Sequence, residues 1–579
     1  MAAGMIRAGT LVELKAQGSL VVQAGTHPVA VFLDGETPHA VDNRCPHMGF
    51  PLSRGSVKDC VLTCHWHQAR FDLASGSAFD LFADDVPAYD CEVRNGDIFV
   101  AGQPREVADA GWHRRRLRRG LEHDIGLVIA KSVTGMLDDP AASAEVVRET
   151  VRFAVDRGEG PGSGLILVAI IGRLLPRLSV ETAGLALIKA VTQVAADRDG
   201  VAPRRPHAAL ATATHGQPKL AEWFRFAVGS RARDGAARVL QSSLGQGATD
   251  AELTALLCGA DADRIFQAIG HPFDAANKAV ELAALADPAE RAGIFAQAVD
   301  GIVNSRGQEE NAGWHHPVEI VEPLRAAEGR IAERIKAGKG KAWNGSTGLA
   351  TVLEGDDPLA IISCLDQALG DGAAPADLAR RVALAAAGRL ARFSPTNEVG
   401  DWFSPQHAFI YSNAVACAVG RAPVPAVIRA VFHAALAVYM DRFLNVPPAP
   451  PPTDLESLPT GEVELRAALL DSFDRRSDPA LAPRLVARWL RSARSFDGLV
   501  DALAYATARE DLDFHPMQVL EAGVRQADGW GHASPEAELV MCGVARQLAS
   551  FCPTRRAGLQ TAVIARRLHR GEALHEGGG

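Results

Sequence analysis

Hydrophobic positions along the chain change their spacing once, at about residue 120. Before that point, short apolar runs alternate with polar residues and are separated by glycine-containing turns. This pattern predicts short strands at 11–14, 20–22, 29–32, 89–93 and 97–100. The last two runs flank Asn95-Gly96, a pair typical of a tight hairpin. Beyond residue 120 the apolar residues recur every three or four positions, which predicts successive amphipathic helices as far as about residue 569.

The change of period predicts a multidomain protein in which an N-terminal all-β domain precedes a large all-α domain. The expected segments are 1–103 for the β domain, 104–120 for a basic linker, 121–445 for the first helical part, 446–460 for a proline-rich loop, 461–570 for the second helical part and 571–579 for a disordered tail. Residues 253–286 and 499–524 each contain a His-Pro pair. This similarity favours two related helical halves.

The composition narrows the protein class. The 579 residues are 47% hydrophobic with a net charge of -9, which is ample for a core and gives no reason to expect a nucleic-acid or membrane partner. No segment approaches the roughly 20 apolar residues of a membrane span, and residues 1–7 lack the apolar core of a signal peptide. The scattered cysteines are typical of a reducing compartment. We therefore expect a cytoplasmic protein.

One motif carries most of the chemistry: Cys45-Pro46-His47 and, after sixteen intervening residues, Cys64-His65-Trp66-His67. Two Cys-plus-His pairs on two loops can hold a [2Fe-2S] cluster, with two thiolates on one iron and two imidazoles on the other. With these motifs and their flanks, residues 5–102 resemble the Rieske family. The resemblance implies a [2Fe-2S] cluster bound by Cys45, His47, Cys64 and His67, and electrons supplied by a separate reductase or ferredoxin.

Two residues near the motif compete for ligand roles. Cys60 falls where the family has a turn, and His65 falls where it usually has proline, so we interpret both as structural. Gln68 stands where the family usually has glycine, which predicts a slightly remodelled second loop. Rieske proteins of the cytochrome bc type carry an extra disulfide between the two loops. This chain has Met48 and His65 near the positions of those cysteines, so it has no such bridge. The resemblance is therefore to ferredoxin-like and oxygenase-type domains.

The helical region lacks the catalytic domain that usually follows a Rieske oxygenase cluster, because we find no His-x4-His or His-x5-His pair closely preceded by an Asp or Asn. Histidines instead stand at helix starts, three of them before a proline, which favours the first helical position. Imidazoles that converge from helix starts suit iron, copper or zinc. The candidate ligands of a mononuclear iron are His215, His271, His316, His407 and His515.

Alternatives to that metal site stay open. Each histidine could be a helix cap or a satisfied core residue, and His123 and His433 are secondary candidates. Lys189 and Lys278 lie on apolar faces, where we expect them to snorkel. The segments 271–273 and 514–516, with their His-Pro pairs, resemble the questin oxidase family, which implies a helical non-haem iron oxygenase acting on aromatic compounds.

Two function hypotheses follow. In the first, the protein is an oxidoreductase whose cluster passes electrons to a His-ligated iron that oxidises a small aromatic or apolar substrate, and a homo-oligomer could bring the centres together. In the second, the protein is a ferredoxin-like carrier or redox sensor, and its helical region is a scaffold or partner-binding module. The glycine-rich segment 158–164 lacks the Lys-Ser/Thr of a phosphate loop, and we find no flavin or nicotinamide motif.

Overall fold

The computed structural model describes residues 4–25, 27–106, 110–211, 215–345, 348–394, 397–475, 480–570 and 572. The chain divides into two compact units. The first comprises Met1–Glu149, Leu187–Asp199 and Ala557–Gly579, and the second comprises Thr150–Ala186 and Gly200–Arg556. The tail expected to be disordered lies outside the described residues except for Glu572. In the described ranges, no helix combines the length and apolar character that a bilayer span requires.

The first unit contains two antiparallel sheets. Its strands are β1 (Met5–Thr10), β2 (Leu20–Ala24), β3 (His27–Asp34), β4 (Thr37–Asp42), β5 (Ser56–Lys58), β6 (Val61–Thr63), β7 (Arg70–Asp72), β8 (Ala88–Arg94) and β9 (Asp97–Pro104). The larger sheet has the order β1-β9-β8-β4-β3-β2, and the smaller has the order β5-β6-β7. The motif lies in the connections on either side of β5 and β6: the first Cys-His loop follows β4, and the second joins β6 to β7.

A buried apolar cluster fixes these two loops against the strands. It includes Phe32, Leu52, Leu62, Phe71 and Leu73, and it also contains the two motif cysteines. The loops are therefore anchored on their inner side by the core, while their histidines point outward from it.

The strand predicted at 11–14 is wrong, because these residues belong to helix α1 (Leu11–Gln17). Thr10 and Glu13 form a capping box, in which each side chain accepts a hydrogen bond from the other residue's backbone N–H. Gly18 ends the helix in a left-handed conformation, with φ 79°. Local capping therefore overrides the alternating pattern of Leu11 to Leu14.

Helices complete the first unit. The segment expected to be a basic linker contains the end of β9 and most of α2 (Ala110–Glu122), and α3 (Gly126–Met136) follows. The two helices pack against each other, and α3 also packs against α23 (Ala557–His569). The arginines of residues 114–119 are thus presented on a helix and not on an open linker.

The second unit is helical. Two helices span the division between the units, α4 (Ser143–Val155) and α6 (Val180–Arg198). The helices of the second unit are α5 (Gly162–Leu174), α7 (Gln217–Gly229), α8 (Arg233–Gly245), α9 (Asp250–Asp261), α10 (His271–Ala283), α11 (Arg291–Asn304), α12 (Val321–Gly338), α13 (Leu349–Leu353), α14 (Pro358–Gly370), α15 (Pro375–Ala391), α16 (Phe403–Arg421), α17 (Pro425–Met440), α18 (Glu462–Ser472), α19 (Leu481–Arg491), α20 (Phe496–Ala508), α21 (His515–Trp530) and α22 (Pro535–Phe551).

The proline-rich segment 446–460 lies within the second unit and is irregular apart from one short turn at Leu455–Ser457. It is tied to the helices around it, since the backbone N–H of Ala449 donates to the carbonyl of Arg392 at 2.7 Å. Its prolines exclude a helix there.

Helices α10 and α21 share a ladder of buried polar pairs. From the N-terminal end, Gln518 donates to Asp274, Lys278 Nζ lies 2.7 Å from Glu521 Oε2, and Arg525 donates to Glu281 at 2.7 Å. Lys278 is only 2% exposed, so the expectation that it snorkels is wrong. The ladder fixes the register of the two helices and therefore places their first residues, both histidines, at the same level.

Candidate functional site

The two motif loops close with the same pair of backbone hydrogen bonds. In the first loop, Cys45 N–H donates to the Phe50 carbonyl at 2.8 Å, and Gly49 N–H donates to the Cys45 carbonyl at 2.7 Å. In the second, Cys64 and the residue four positions later make the equivalent bonds, at 2.8 and 3.0 Å. That later residue is Gln68, whose φ of 61° is close to the 75° of Gly49. Gln68 thus adopts the left-handed conformation usually left to glycine, and the second loop keeps the shape of the first.

Backbone N–H groups surround both cysteine sulfurs. The donors are His47 and Met48 for Cys45, and Trp66 and His67 for Cys64. The two thiols also hydrogen-bond to each other, which lowers the pKa of Cys64 to about 6 and, together with burial, raises the pKa of Cys45. Both sulfurs are buried and converge, as the thiolate ligands of a single metal group must.

The two motif imidazoles lie next to each other on the outer side of the loops. The ring centroids of His47 and His67 are 4.7 Å apart, and Phe82 and Trp66 flank them at 5.2 and 4.3 Å. Burial lowers the pKa of His47, and the nearby His67 and Lys131 lower it further. Within the described residues, the buried Nδ1 of His47 has no hydrogen-bond partner. Two convergent thiols, two adjacent imidazoles and a free buried ring nitrogen fit a [2Fe-2S] cluster.

The competing residues lie away from this arrangement. Cys60 is in the turn between β5 and β6, and its thiol faces Asp72 Oδ1 at 3.8 Å. The His65 ring hydrogen-bonds to Ser56 Oγ at 3.0 Å and is exposed. Both placements agree with the structural interpretation of these two residues.

Three histidines of the second unit form a separate group. His271 and His515 are the first residues of α10 and α21, and His407 is in the second turn of α16. One ring nitrogen from each lies within 4.8 Å of the others, and His407 Nε2 is 3.0 Å from His515 Nε2. Nitrogens that bind one ion at about 2.1 Å are at most about 4.2 Å apart. A contraction of well under 1 Å would therefore give three ligands to a single ion.

The other ring nitrogens of two of these histidines have partners. His407 Nδ1 donates to the backbone carbonyl of Phe403, and His515 Nδ1 donates to Asp513 Oδ2 at 3.0 Å. These bonds fix the tautomer that leaves both Nε2 lone pairs free, as the outer partners of metal-binding histidines do. Asp513 was not among the residues predicted from the sequence. The sequence feature that could have identified it is an acidic residue two positions before the pair His515-Pro516.

The backbone before His271 is strained. Phe266, Ala268, Ile269 and Gly270 have φ values of 40°, 42°, 53° and 93°. A Cβ added at Gly270 would lie 2.7 Å from the Tyr411 ring, so only glycine fits there. Non-glycine residues in this conformation cost on the order of 1 kcal/mol or more each, and such strain is concentrated at functional sites. This strained turn positions His271 beside His407 and His515.

Burial disfavours the protonated form of two of these histidines. It lowers the pKa of His271 to about 4 and that of His407 to about 3, and in both cases His515 contributes further. His271 and His407 are therefore unprotonated and available as ligands at pH 7.

The same pKa values predict how the stability of the metal-free protein depends on pH. Between about pH 6.5 and pH 4, the unfolded chain protonates His271 and His407 while the folded chain does not. The unfolded state then binds more protons, so the free energy of unfolding should fall as the pH falls through this window. Urea unfolding from pH 7 to 4.5 measures the slope, and His407→Phe should make it shallower. An unchanged slope in that variant would contradict the prediction.

The remaining candidate histidines lie elsewhere. His215 is exposed and packs against Trp223, with ring centroids 5.0 Å apart, and His316 is also exposed. His433 is fully buried and pairs with Glu328 at 2.6 Å, and His123 is exposed. In the described part of the chain, the three-histidine group thus comprises His271, His407 and His515 alone.

Comparisons with known proteins match the N-terminal part of the chain. The family model "Rieske [2Fe-2S] domain" matches residues 5–90. The chain is 28% identical over 86 residues to ferredoxin CarAc of Metapseudomonas resinovorans, which covers 15% of this chain and 80% of that protein. It is 28% identical over 80 residues to human apoptosis-inducing factor 3, which covers 14% of this chain and 13% of that protein.

A solved structure also matches a short part of the chain. The ferredoxin of carbazole 1,9a-dioxygenase from Nocardioides aromaticivorans IC177 is 29% identical, covers 17% of this chain and 100% of its own, and has a TM-score of 0.17. The motif, its paired loops and the family model agree. Residues 5–90 of this chain form a Rieske [2Fe-2S] domain, followed by a large helical region.

Proposed function

We propose that this protein is an oxygenase in which the Rieske domain supplies electrons to a mononuclear iron held by His271, His407 and His515. The substrate is a small aromatic or apolar organic compound. The electrons come from a separate reductase or ferredoxin, because the sequence has no flavin or nicotinamide motif of its own.

One observation carries the proposal: the two Nε2 atoms of His407 and His515 face each other at 3.0 Å. Both rings use Nδ1 as a donor, so two lone pairs point at each other in a buried place. Buried polar atoms without a suitable partner cost free energy. A cation between the rings removes this cost, and His271 supplies the third nitrogen.

The Rieske domain favours a redox metal at this site. Neutral imidazoles suit zinc, copper, iron and nickel alike. A Rieske cluster transfers single electrons, for which zinc has no use because it has no redox chemistry. Iron with open coordination positions supplies dioxygen activation when it is bound.

The surroundings of the three histidines suit an apolar substrate. The rings of Phe403 and Phe551 are 6.2 Å apart, and the Phe514 ring lies 4.0 Å from the ring of His515. Phe403 is 40% exposed. An aromatic compound that reaches the site past this ring would contact apolar side chains and lose its water.

A buried carboxyl group can supply a proton nearby. Asp274 lies one helical turn after His271, and burial raises its pKa to about 7 despite the opposing charge of Lys278. Gln518 donates to its Oδ2, while its buried Oδ1 has no partner among the described residues. Asp274 can therefore hold a proton on Oδ1 near neutral pH.

Electron paramagnetic resonance tests the proposal on anaerobically purified protein. We expect the signal of a reduced Rieske cluster and, after treatment with nitric oxide, a second signal from a mononuclear ferrous site. His407→Ala should lose the second signal and keep the first. Wild-type protein that shows only the cluster signal would contradict the proposal.

A second function is favoured by one matched relative, which is named as a ferredoxin, an electron-carrier protein. The protein would then be an electron carrier or redox sensor, with the helical region as a binding module. Metal analysis separates the two functions. The two iron atoms of the cluster without a third metal ion would favour the carrier.

A further inference from the structure

A buried lysine outside the matched Rieske region contacts the first cluster loop. Lys131 is on α3 and only 7% exposed. Its ammonium group donates to the backbone carbonyl of Pro46, the residue between the two ligands of that loop. The helical part of the first unit thus delivers a positive charge to the loop that binds the cluster.

Two further charged side chains accompany this lysine. Asp84 Oδ2 is 3.2 Å from Lys131 Nζ, and Arg116 Nε donates to Asp84 Oδ1 at 2.9 Å. Asp84 is buried, and although burial raises its pKa, Lys131 and Arg116 outweigh this and lower it to about 2. These three side chains, two cations and one carboxylate, together carry a net charge of +1.

Such a charge acts on the redox equilibrium. Reduction adds one negative charge to an iron-sulfur cluster, and nearby positive charge favours the reduced form. Solvent screens this interaction weakly when the charge is buried. The potential of such clusters depends on local charge, hydrogen bonds and exposure.

We propose that Lys131 raises the reduction potential of the Rieske cluster, and that Asp84 partly offsets this effect. Lys131 is a positioning residue in this role, because it acts through the Pro46 carbonyl and its charge without touching a ligand. The proposal depends on the Rieske domain and not on the oxygenase function.

Redox titration of the full-length protein, followed by the electron paramagnetic resonance signal of the reduced cluster, provides the test. We expect Lys131→Met to lower the midpoint potential, Lys131→Arg to keep it close to wild type, and Asp84→Asn to raise it. Lys15→Met is the matched control, since Lys15 is 47% exposed and pairs with Glu36 on the surface of the same unit. Its potential should not change.

Opposite shifts for Lys131→Met and Asp84→Asn are what separate an electrostatic role from a merely structural one. The proposal is overturned if both potentials stay at the wild-type value or move in the same direction. It is also overturned if both variants lose the cluster, because the charges would then hold the loop together without tuning it. If only one variant loses the cluster, the shift in the other decides.

Discussion

Replacing His407 with alanine will remove the proposed third metal ion and leave the visible absorption of the Rieske cluster unchanged. His407 contributes the nitrogen that lies 3.0 Å from His515 Nε2, so its loss leaves two separated imidazoles, too few to hold an ion tightly. The proposed cluster ligands are on other loops and should keep their contacts. Metal analysis of anaerobically purified protein should give the two iron atoms of the cluster and no further metal.

Two histidines elsewhere in the chain provide matched controls for this result. His215 and His316 are exposed and lie outside the group, so alanine at either position should keep the full metal content. His271→Ala and His515→Ala should behave like His407→Ala. If all three of these variants keep the third metal ion, the site is somewhere else.

Replacing Lys278 with methionine will lower the free energy of unfolding by about 3–5 kcal/mol. Lys278 Nζ lies 2.9 Å from Glu281 and 2.7 Å from Glu521, whose side chains are nearly as buried as its own. Methionine fills a similar volume but leaves two carboxylates without their main cation. Arg525 remains close to both, which limits the loss. Urea unfolding at pH 7 measures the change.

A surface pair and a double variant make this measurement specific. Lys219 pairs with Glu222 at 2.6 Å on an exposed surface, so Lys219→Met should cost less than about 1 kcal/mol. Combining Lys278→Met with Glu521→Gln removes one of the stranded charges, so the double variant should be more stable than the sum of the single effects predicts. Equal losses for Lys278→Met and Lys219→Met would show that the buried network adds little.

The Rieske domain could be predicted from the sequence because its signal is local. All four proposed ligands lie on two short loops, and residue type and spacing are enough to indicate them. The shape of the second loop was less predictable. Gln68 was expected to remodel it, but the residue accepts the left-handed conformation and preserves the turn.

The three-histidine group was only half predictable. A histidine at a helix start is visible in the sequence, and five positions fitted that pattern. Which helix starts meet is decided by packing among α10, α16 and α21, which brings three of the five together and leaves His215 and His316 on the surface. The spacing of residues in a single sequence does not show which of these helices pack together.

The predictions were least accurate for charged residues in apolar helices. Lys278 was expected to reach solvent, but three helical turns of polar partners on α10 and α21 keep it buried. Lys131 was missed, although it stands in the apolar run Leu127 to Val133 with no acidic residue near it in the sequence. In both cases the partner comes from a distant part of the chain, Glu521 for one and Asp84 for the other.

The first unit is built from segments that lie far apart in the chain, and this affects its biosynthesis. Helix α3, which carries Lys131, packs against α23, and α23 leaves the ribosome only after the whole second unit has been made. Domains fold in order of synthesis where their contacts allow it. Here the proposed cysteine ligands are translated early, while the helix that packs against α3 emerges late, so we expect stable insertion of iron and sulfide to follow translation.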